Sequence, residues 1–143
     1  MKKSLLLLGG ALVLFSNSAF GWGKMGHDAI AYIAECNLTP KAKKTIEKIL
    51  GHSIVHYATW MDEWRAEPGY EHTSAWHTAS VDKNLVYAPR PKGDVIFALE
   101  DAIAKLQDYK QQDDSTVVMS LRCIIHFVGD MHCPVHVKYA DQK

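Results

Sequence analysis

The amino-acid sequence predicts an all-α fold. Helix signals recur along the chain, whereas strand signals are nearly absent: there is no Asn-Gly hairpin and no sustained alternation of apolar and polar residues. The chain has 143 residues, of which 48% are apolar, and this is enough for one domain with a modest core. We therefore expect a single compact helical domain.

One helix has explicit signals at both ends. Thr39 is followed by Pro40, a capping residue before a proline at the first helical position, and Gly51 follows Leu50. Apolar spacing and capping residues predict four further helices: Gly26–Glu35, Val55–Arg65, a helix opened by Gly93-Asp94 that ends near Lys110, and one capped by Ser115 that ends near Asp130. Between them, residues 67–92 contain prolines and glycines and are predicted to form a long irregular loop.

The N-terminus has the pattern of an export signal. A basic start at Lys2 precedes an apolar run of 11 residues, Leu5–Phe15, which is short for a membrane span. Small residues before the cleavage position predict cutting after Gly21, so that residues 1–21 are removed and Trp22 gains a free amine. An uncleaved membrane anchor is the alternative. We expect a secreted or periplasmic protein that has no membrane contact after cleavage.

Charge and cysteine content limit the possible functions. Lys plus Arg and Asp plus Glu number sixteen each, so no basic tract indicates duplex binding through phosphate contacts. Three cysteines, an odd number, are Cys36, Cys123 and Cys133. Export permits a disulfide. Cys133 lies in a His-rich stretch, but a small apolar filler is favoured over a ligand.

The strongest chemical signal lies near the C-terminal end. The stretch His126-Phe-Val-Gly-Asp-Met-His-Cys-Pro-Val-His136 contains three histidines and one aspartate in 11 residues. Because His126 and Asp130 are four apart on a predicted helix, the imidazole and the carboxylate share one face. Nitrogen and oxygen donors of this kind suit Zn²⁺. A polar helix end with surface histidines is the alternative, but the apolar neighbours disfavour it.

Four residues elsewhere are candidate ligands. Asp62 lies among tryptophans, a poor place for an unpaired carboxylate, and His77 follows Trp76. His27 lies five residues after Trp22, whose free amine and carbonyl can chelate a metal once the signal is removed.

These motifs resemble the single-strand-specific zinc nucleases and 3′-nucleotidases of the mung-bean type. The resemblance rests on Trp22-Gly23-x-x-Gly26-His27, on the fifteen-residue step from Asp62 to His77, and on the His126–His136 stretch, and it covers the mature chain. It implies a compact helical domain around a trinuclear zinc site, of which residues 22–143 form the N-terminal part. It also implies hydrolysis of single-stranded DNA or RNA to 5′-nucleotides and removal of 3′-phosphates.

The resemblance further implies which residues bind metal. One zinc would be bound by four side chains: Asp62, His77, His126 and Asp130. A second would be bound by the Trp22 amine and carbonyl, His27 and Asp130, with Asp130 bridging the pair. His136 would be the first ligand of a third zinc, and His132 would orient ligands without binding.

The catalytic roles implied by the resemblance fall on two residues. Asp130 would hold the zinc pair that activates the attacking water, and Arg65 would bind the substrate phosphate. A solvent-exposed charge is the alternative for Arg65. The substrate would be a single-stranded nucleic acid or a nucleotide, and no stable protein partner is implied.

Two departures from the family pattern bear on activity. The family continues beyond the position of Lys143 with a Gly-Gly-Asn segment and a later His and Asp that complete the third site. We therefore expect about two zincs here, with weak or no activity. The residues after His77 also lack the usual base-recognising aromatic. A zinc phospholipase C and an inactive metal-binding fragment remain as alternatives.

Overall fold

The computed structural model describes residues 23–141, so the predicted signal peptide (residues 1–21) and the predicted ligand Trp22 lie outside the described residues. Within this range the α-helices are α1 (Lys24–Asn37), α2 (Pro40–Leu50), α3 (Trp60–Trp64), α4 (Val95–Gln107) and α5 (Asp114–Met131). Shorter 3-10 helices span Ile54–Tyr57, Glu71–His77, Tyr109–Gln111 and Pro134–His136. The all-α prediction is confirmed.

Local signals set the bounds of α2 as predicted. The Thr39 hydroxyl accepts a hydrogen bond from the Ala42 amide, and Pro40 opens the helix. Gly51 ends it with φ at 79°, a left-handed conformation that costs glycine little. The predicted helix over 26–35 also exists, and it extends by two residues at each end.

The single helix predicted over Val55–Arg65 is wrong. The chain forms the 3-10 helix Ile54–Tyr57 and then, after a break at Ala58 and Thr59, the five-residue helix α3. The Ala58 carbonyl accepts a hydrogen bond at 2.8 Å from Nδ1 of His126, 68 residues further along the chain. The carbonyl at this break thus has a partner from a distant part of the chain.

The ends of the last two helices differ from the prediction in detail. Asp94 caps α4 as expected, but the helix ends at Gln107, and Tyr109–Gln111 forms a separate 3-10 turn. Asp113, not Ser115, caps α5, because its carboxylate accepts from the Thr116 amide at 2.9 Å.

The segment predicted as an irregular loop carries regular structure. It contains the 3-10 helix Glu71–His77 and strand β1 (Ala79–Val81), which pairs in parallel with β2 (Val137–Tyr139). Ala79 lies opposite Val137 in this ladder. The two strands therefore join the segment after His77 to the segment after His136.

The core forms where α4 packs along α5, with α3 and the 3-10 helices around the C-terminal half of α5. Phe127, Met61 and Val95 are fully buried there. All three cysteines are free; Cys123 and Cys133 are buried and Cys36 is exposed. In the described part of the chain, no helix has the length and hydrophobicity that crossing a bilayer requires.

Candidate metal centre

The C-terminal half of α5 carries the central pair of the site. His126 and Asp130 lie one turn apart and are almost completely buried, and Nε2 of His126 is 3.3 Å from Oδ2 of Asp130. Nδ1 of His126 donates to the Ala58 carbonyl. Because that nitrogen bears the proton, the lone pair of His126 is on Nε2 and points at Asp130. A histidine held in this way has its free nitrogen ready for a metal.

Two residues from other elements complete this first group. His77 ends its 3-10 helix with Nδ1 at 3.1 Å from both Oδ2 of Asp130 and Nε2 of His126. Asp62, on α3, has Oδ1 at 3.7 Å from Nδ1 of His77 and 4.0 Å from Nε2 of His126. Four donor atoms from three separate parts of the chain thus converge.

The spacing of these donors fits a tetrahedral ion. Zinc bonds of about 2.0–2.1 Å to nitrogen and oxygen place neighbouring donors roughly 3.4 Å apart in a tetrahedron. The five observed separations that involve a histidine of the first group, between 3.1 and 4.0 Å, bracket that value. Asp62, His77 and His126 lie close enough together to hold one ion, and so do His27, His126 and Asp130.

The other oxygen of Asp130 faces a second group. Oδ1 of Asp130 is 3.4 Å from Nε2 of His27 and 3.4 Å from Nε2 of His136. His27 also approaches Oδ2 of Asp62 at 3.8 Å. One carboxylate thus lies between two sets of imidazoles, as a bridging ligand would. His136 shares an oxygen with His27, so it lies beside this second group, and its assignment to a third zinc stays a prediction.

Unpartnered nitrogens support the same interpretation. Both ring nitrogens of His27 and one each of His77 and His136 are buried without a hydrogen-bond partner. Leaving a buried polar group unsatisfied costs about 1–3 kcal/mol. A cation at Nε2 of His27, which is 3.4 Å from Oδ1 of Asp130, would remove that cost for this atom, whereas the unpartnered Nε2 of His77 and Nδ1 of His136 are the ring nitrogens opposite those that face Asp130.

The electrostatics favour an ionised Asp130. Burial raises the pKa of its carboxyl, but the close imidazoles of His126, His27 and His77 outweigh burial and lower the pKa overall. The pKa of His136 is lowered, mainly by burial, which favours the neutral imidazole that binds metal.

Gly129 has a role in the site that was not predicted from the sequence. A β-carbon on Gly129 would be 2.5 Å from Nδ1 of His27, so only glycine allows that ring to lie against α5. The His27 ring also stacks on the His126 ring with centroids 4.4 Å apart. A glycine in the middle of a helix, next to a predicted ligand, was the available signal.

Arg65 lies at the open side of the centre. Its Nη1 is 3.4 Å from Oδ1 of Asp62, and both side chains reach solvent. His132 is exposed and its Nδ1 donates to the Val128 carbonyl at 2.7 Å, outside both groups. Asp62 and Arg65 thus mark the side from which a substrate can approach.

Comparison with known proteins gives the context for this centre. The sequence profile of the family described as S1/P1 Nuclease matches residues 22–143. The chain belongs to this family. The residues that converge in the structure lie within the matched range, in the region of the His-rich motif and upstream of it.

Several fungal and plant relatives are similar over most of the chain. Nuclease S1 of Aspergillus oryzae is 25% identical, over 92% of this chain and 50% of its own length. Nuclease P1 of Penicillium citrinum is 28% identical, over 80% and 47% respectively. Endonuclease 2 of Arabidopsis thaliana is 28% identical, over 86% and 48%. The chain therefore spans about half the length of the curated relatives it matches.

Proposed function

We propose that this chain forms the metal-binding part of a zinc-dependent phosphodiesterase that hydrolyses single-stranded DNA or RNA and removes 3′-phosphates from nucleotides. The observation that carries the proposal is the position of Asp130, whose two carboxylate oxygens face two separate groups of histidine nitrogens. Paired metals joined by one carboxylate are typical of phosphoester hydrolysis. The printed names of the relatives, all nucleases, support the same reaction class.

Each residue has a distinct part in this proposal. The first zinc is held by the side chains of Asp62, His77, His126 and Asp130. The second is held by His27, Asp130 and the amine and carbonyl of Trp22, which requires export and removal of residues 1–21. His136 is proposed as a ligand of a third zinc whose remaining ligands are not among these residues. We therefore expect about two zincs bound per 143-residue chain.

When bound by these residues, the metals would supply Lewis-acid chemistry that makes a water a better nucleophile near neutral pH. Groups of the protein itself orient the metal ligands and bind the substrate. The Ala58 carbonyl keeps the His126 lone pair directed at the centre, and the burial of Asp130 excludes competing water. Arg65, exposed and adjacent to Asp62, binds the phosphate oxygens of the substrate and stabilises their charge as the phosphorus is attacked.

The reaction class is tested with the mature chain and three substrates: single-stranded DNA, 3′-AMP and phosphatidylcholine. Because weak activity is expected of this chain, we expect low yields of nucleotide and phosphate products that disappear on chelation and return with zinc. Arg65→Ala should lower kcat/KM roughly 10²-fold, since a phosphate contact is lost, while metal content stays unchanged. Release of phosphocholine without nucleotide products would support a phospholipase and refute the nuclease.

A second measurement separates a weak enzyme from a wrong assignment. Metal analysis of the mature chain should find about two zincs, and His126→Ala should lower that number. His72→Ala is the matched control, because His72 is an exposed histidine whose ring packs on Trp76 and does not line the centre. If His126→Ala binds as much zinc as the control, the ligand assignment is wrong.

A further inference from the structure

A second cavity, far from the metal centre, has four lysines around its rim. It has a volume of about 720 Å³ and lies between α2 and the segment that leads into α5. Lys41, Lys44 and Lys48 lie along one face of α2, and Lys110 comes from the 3-10 helix Tyr109–Gln111. We call this cavity the lysine groove. Its positive charge is not evident in the composition, because the chain as a whole is neutral.

These lysines have no acidic partners. The ion pairs of lysine within residues 23–141 involve Lys24, Lys43 and Lys105, and none involves the four lysines of the groove. Asp114 is the one carboxylate that lines the groove. The four ammonium groups are exposed to solvent. The groove is therefore a surface with excess positive charge, which an anionic ligand could neutralise.

The floor of the groove is apolar and partly aromatic. Ile49, Val117 and Val118 line it, and Tyr109, with 40% of its surface exposed, stands at one side. A positively charged groove with an aromatic side chain is the combination that binds single-stranded nucleic acid, since phosphates pair with the lysines and a base stacks on the ring. In a duplex the bases are already stacked on one another, so they cannot stack on Tyr109 or contact the apolar floor.

We propose that the lysine groove binds a single-stranded nucleic acid at a distance from the metal centre. This inference rests on the proposed function and extends it, because it gives the strand a second point of attachment. Val118 and Asp130 are twelve residues apart on α5, a separation of about 18 Å along the helix. A strand of several nucleotides is long enough to reach both sites, and a mononucleotide is not.

Charge also argues against a second copy of the chain as the occupant. Two identical grooves facing each other would bring eight lysines together with two aspartates, and like charges repel. A polyanion matches the groove without such repulsion.

The test uses the metal-loaded mature chain and a labelled oligothymidylate of about twelve nucleotides with hydrolysis-resistant phosphorodithioate linkages. Lys44→Gln combined with Lys48→Gln should weaken binding and reduce the slope of log affinity against log salt concentration by about 1.4. Lys83→Gln combined with Lys92→Gln, exposed lysines outside the groove, removes the same charge and should leave the slope unchanged. Tyr109→Ala should weaken binding about fivefold or more with little change in slope.

The outcomes distinguish this proposal from the proposed function. If the Lys44/Lys48 variant loses affinity and slope while the mature chain binds no zinc and hydrolyses no phosphoester, the groove is supported and the nuclease assignment fails. If 3′-AMP is hydrolysed normally but both lysine variants bind the oligonucleotide alike, the groove proposal is overturned. A change of oligomeric state in the Lys44/Lys48 variant, with unchanged oligonucleotide binding, would overturn it in favour of a contact between copies.

Discussion

The ring of His27 lies directly against the α-carbon of Gly129. A β-carbon at position 129 would be 2.5 Å from Nδ1 and 3.2 Å from Cε1 of this ring. The ring is held from the other side by stacking on His126. The imidazole of His27 thus occupies a slot whose width is set by the absence of a side chain on α5.

Gly129→Ala should displace His27 and selectively weaken the second metal. Because the methyl group and the ring cannot share the slot, we expect zinc affinity at that position to fall about 10–100-fold, the usual effect of disturbing the support of a ligand. Competition with a chromogenic chelator measures this affinity.

The control for this prediction is a double-mutant cycle with His27→Ala. Once the ring is absent, the added methyl has nothing to displace, so Gly129→Ala should have little further effect in that background. Equal effects of Gly129→Ala with and without His27 would show that the glycine serves the helix and not the ligand.

Zinc should raise the thermal stability of the chain through the first group of donors. A ligand that binds only the folded state stabilises it by about 2.7 kcal/mol when its free concentration is one hundred times Kd. Calorimetry of the chelated protein should therefore show a lower Tm than the zinc-loaded protein. In His126→Ala the difference should shrink, whereas in His72→Ala, a surface change, it should persist. A zinc effect of equal size in both variants would contradict the assignment of His126.

Asp94 should contribute more to stability than the other aspartate cap, Asp113. The Asp94 carboxylate is completely buried, and it accepts from the amides of Ile96 and Phe97 and from the hydroxyl of Tyr87. Asp94→Ala leaves all three donors without that acceptor, so we expect a loss of about 2–3 kcal/mol in the free energy of unfolding. Asp113→Ala removes an exposed cap of α5 and should cost less. Urea unfolding measures both, and equal losses would contradict the buried network.

The Tyr87 hydroxyl should lose its proton at a higher pH than a free tyrosine, and the free energy of unfolding should fall as it does so. Tyr87 keeps 41% of its surface exposed, but partial desolvation of its hydroxyl and the hydrogen bond to the buried Asp94 raise its pKa to about 12, against about 10 in an unfolded chain. Since the fold favours the neutral phenol, this stabilisation is fully present below about pH 10 and is lost as the pH rises towards 12. Ultraviolet absorbance of tyrosinate, compared between the protein and Tyr87→Phe, should assign one late-titrating group to this residue. An early titration of that group would refute the hydrogen bond.

Local signals were sufficient for some elements and for the centre of the site. Thr39, Pro40 and Gly51 define α2 through contacts within a few residues, and the four-residue spacing of His126 and Asp130 needs only the periodicity of a helix. These features could be predicted because the interactions that produce them are close in sequence.

Long-range contacts explain what could not be predicted. The chain breaks at Ala58, whose carbonyl accepts from His126, and nothing near Ala58 in the sequence encodes that partner. Strands β1 and β2 have three residues each, too short for an alternation pattern, and they form because they meet across the fold. The predicted cap of α5, Ser115, was wrong for a simpler reason. Serine and aspartate both cap helices, and Ser115 lies only two positions after the observed cap, Asp113.

The short parallel ladder of β1 and β2 restricts how this region can change. β1 begins two residues after His77, and β2 begins immediately after His136. A slip of one residue in the pairing of Ala79 with Val137 would displace one histidine relative to the other by about 3.3 Å, more than a metal–ligand bond can absorb. Insertions and deletions between either histidine and its strand should therefore be absent from functional variants, and this part of the chain can vary only by substitution.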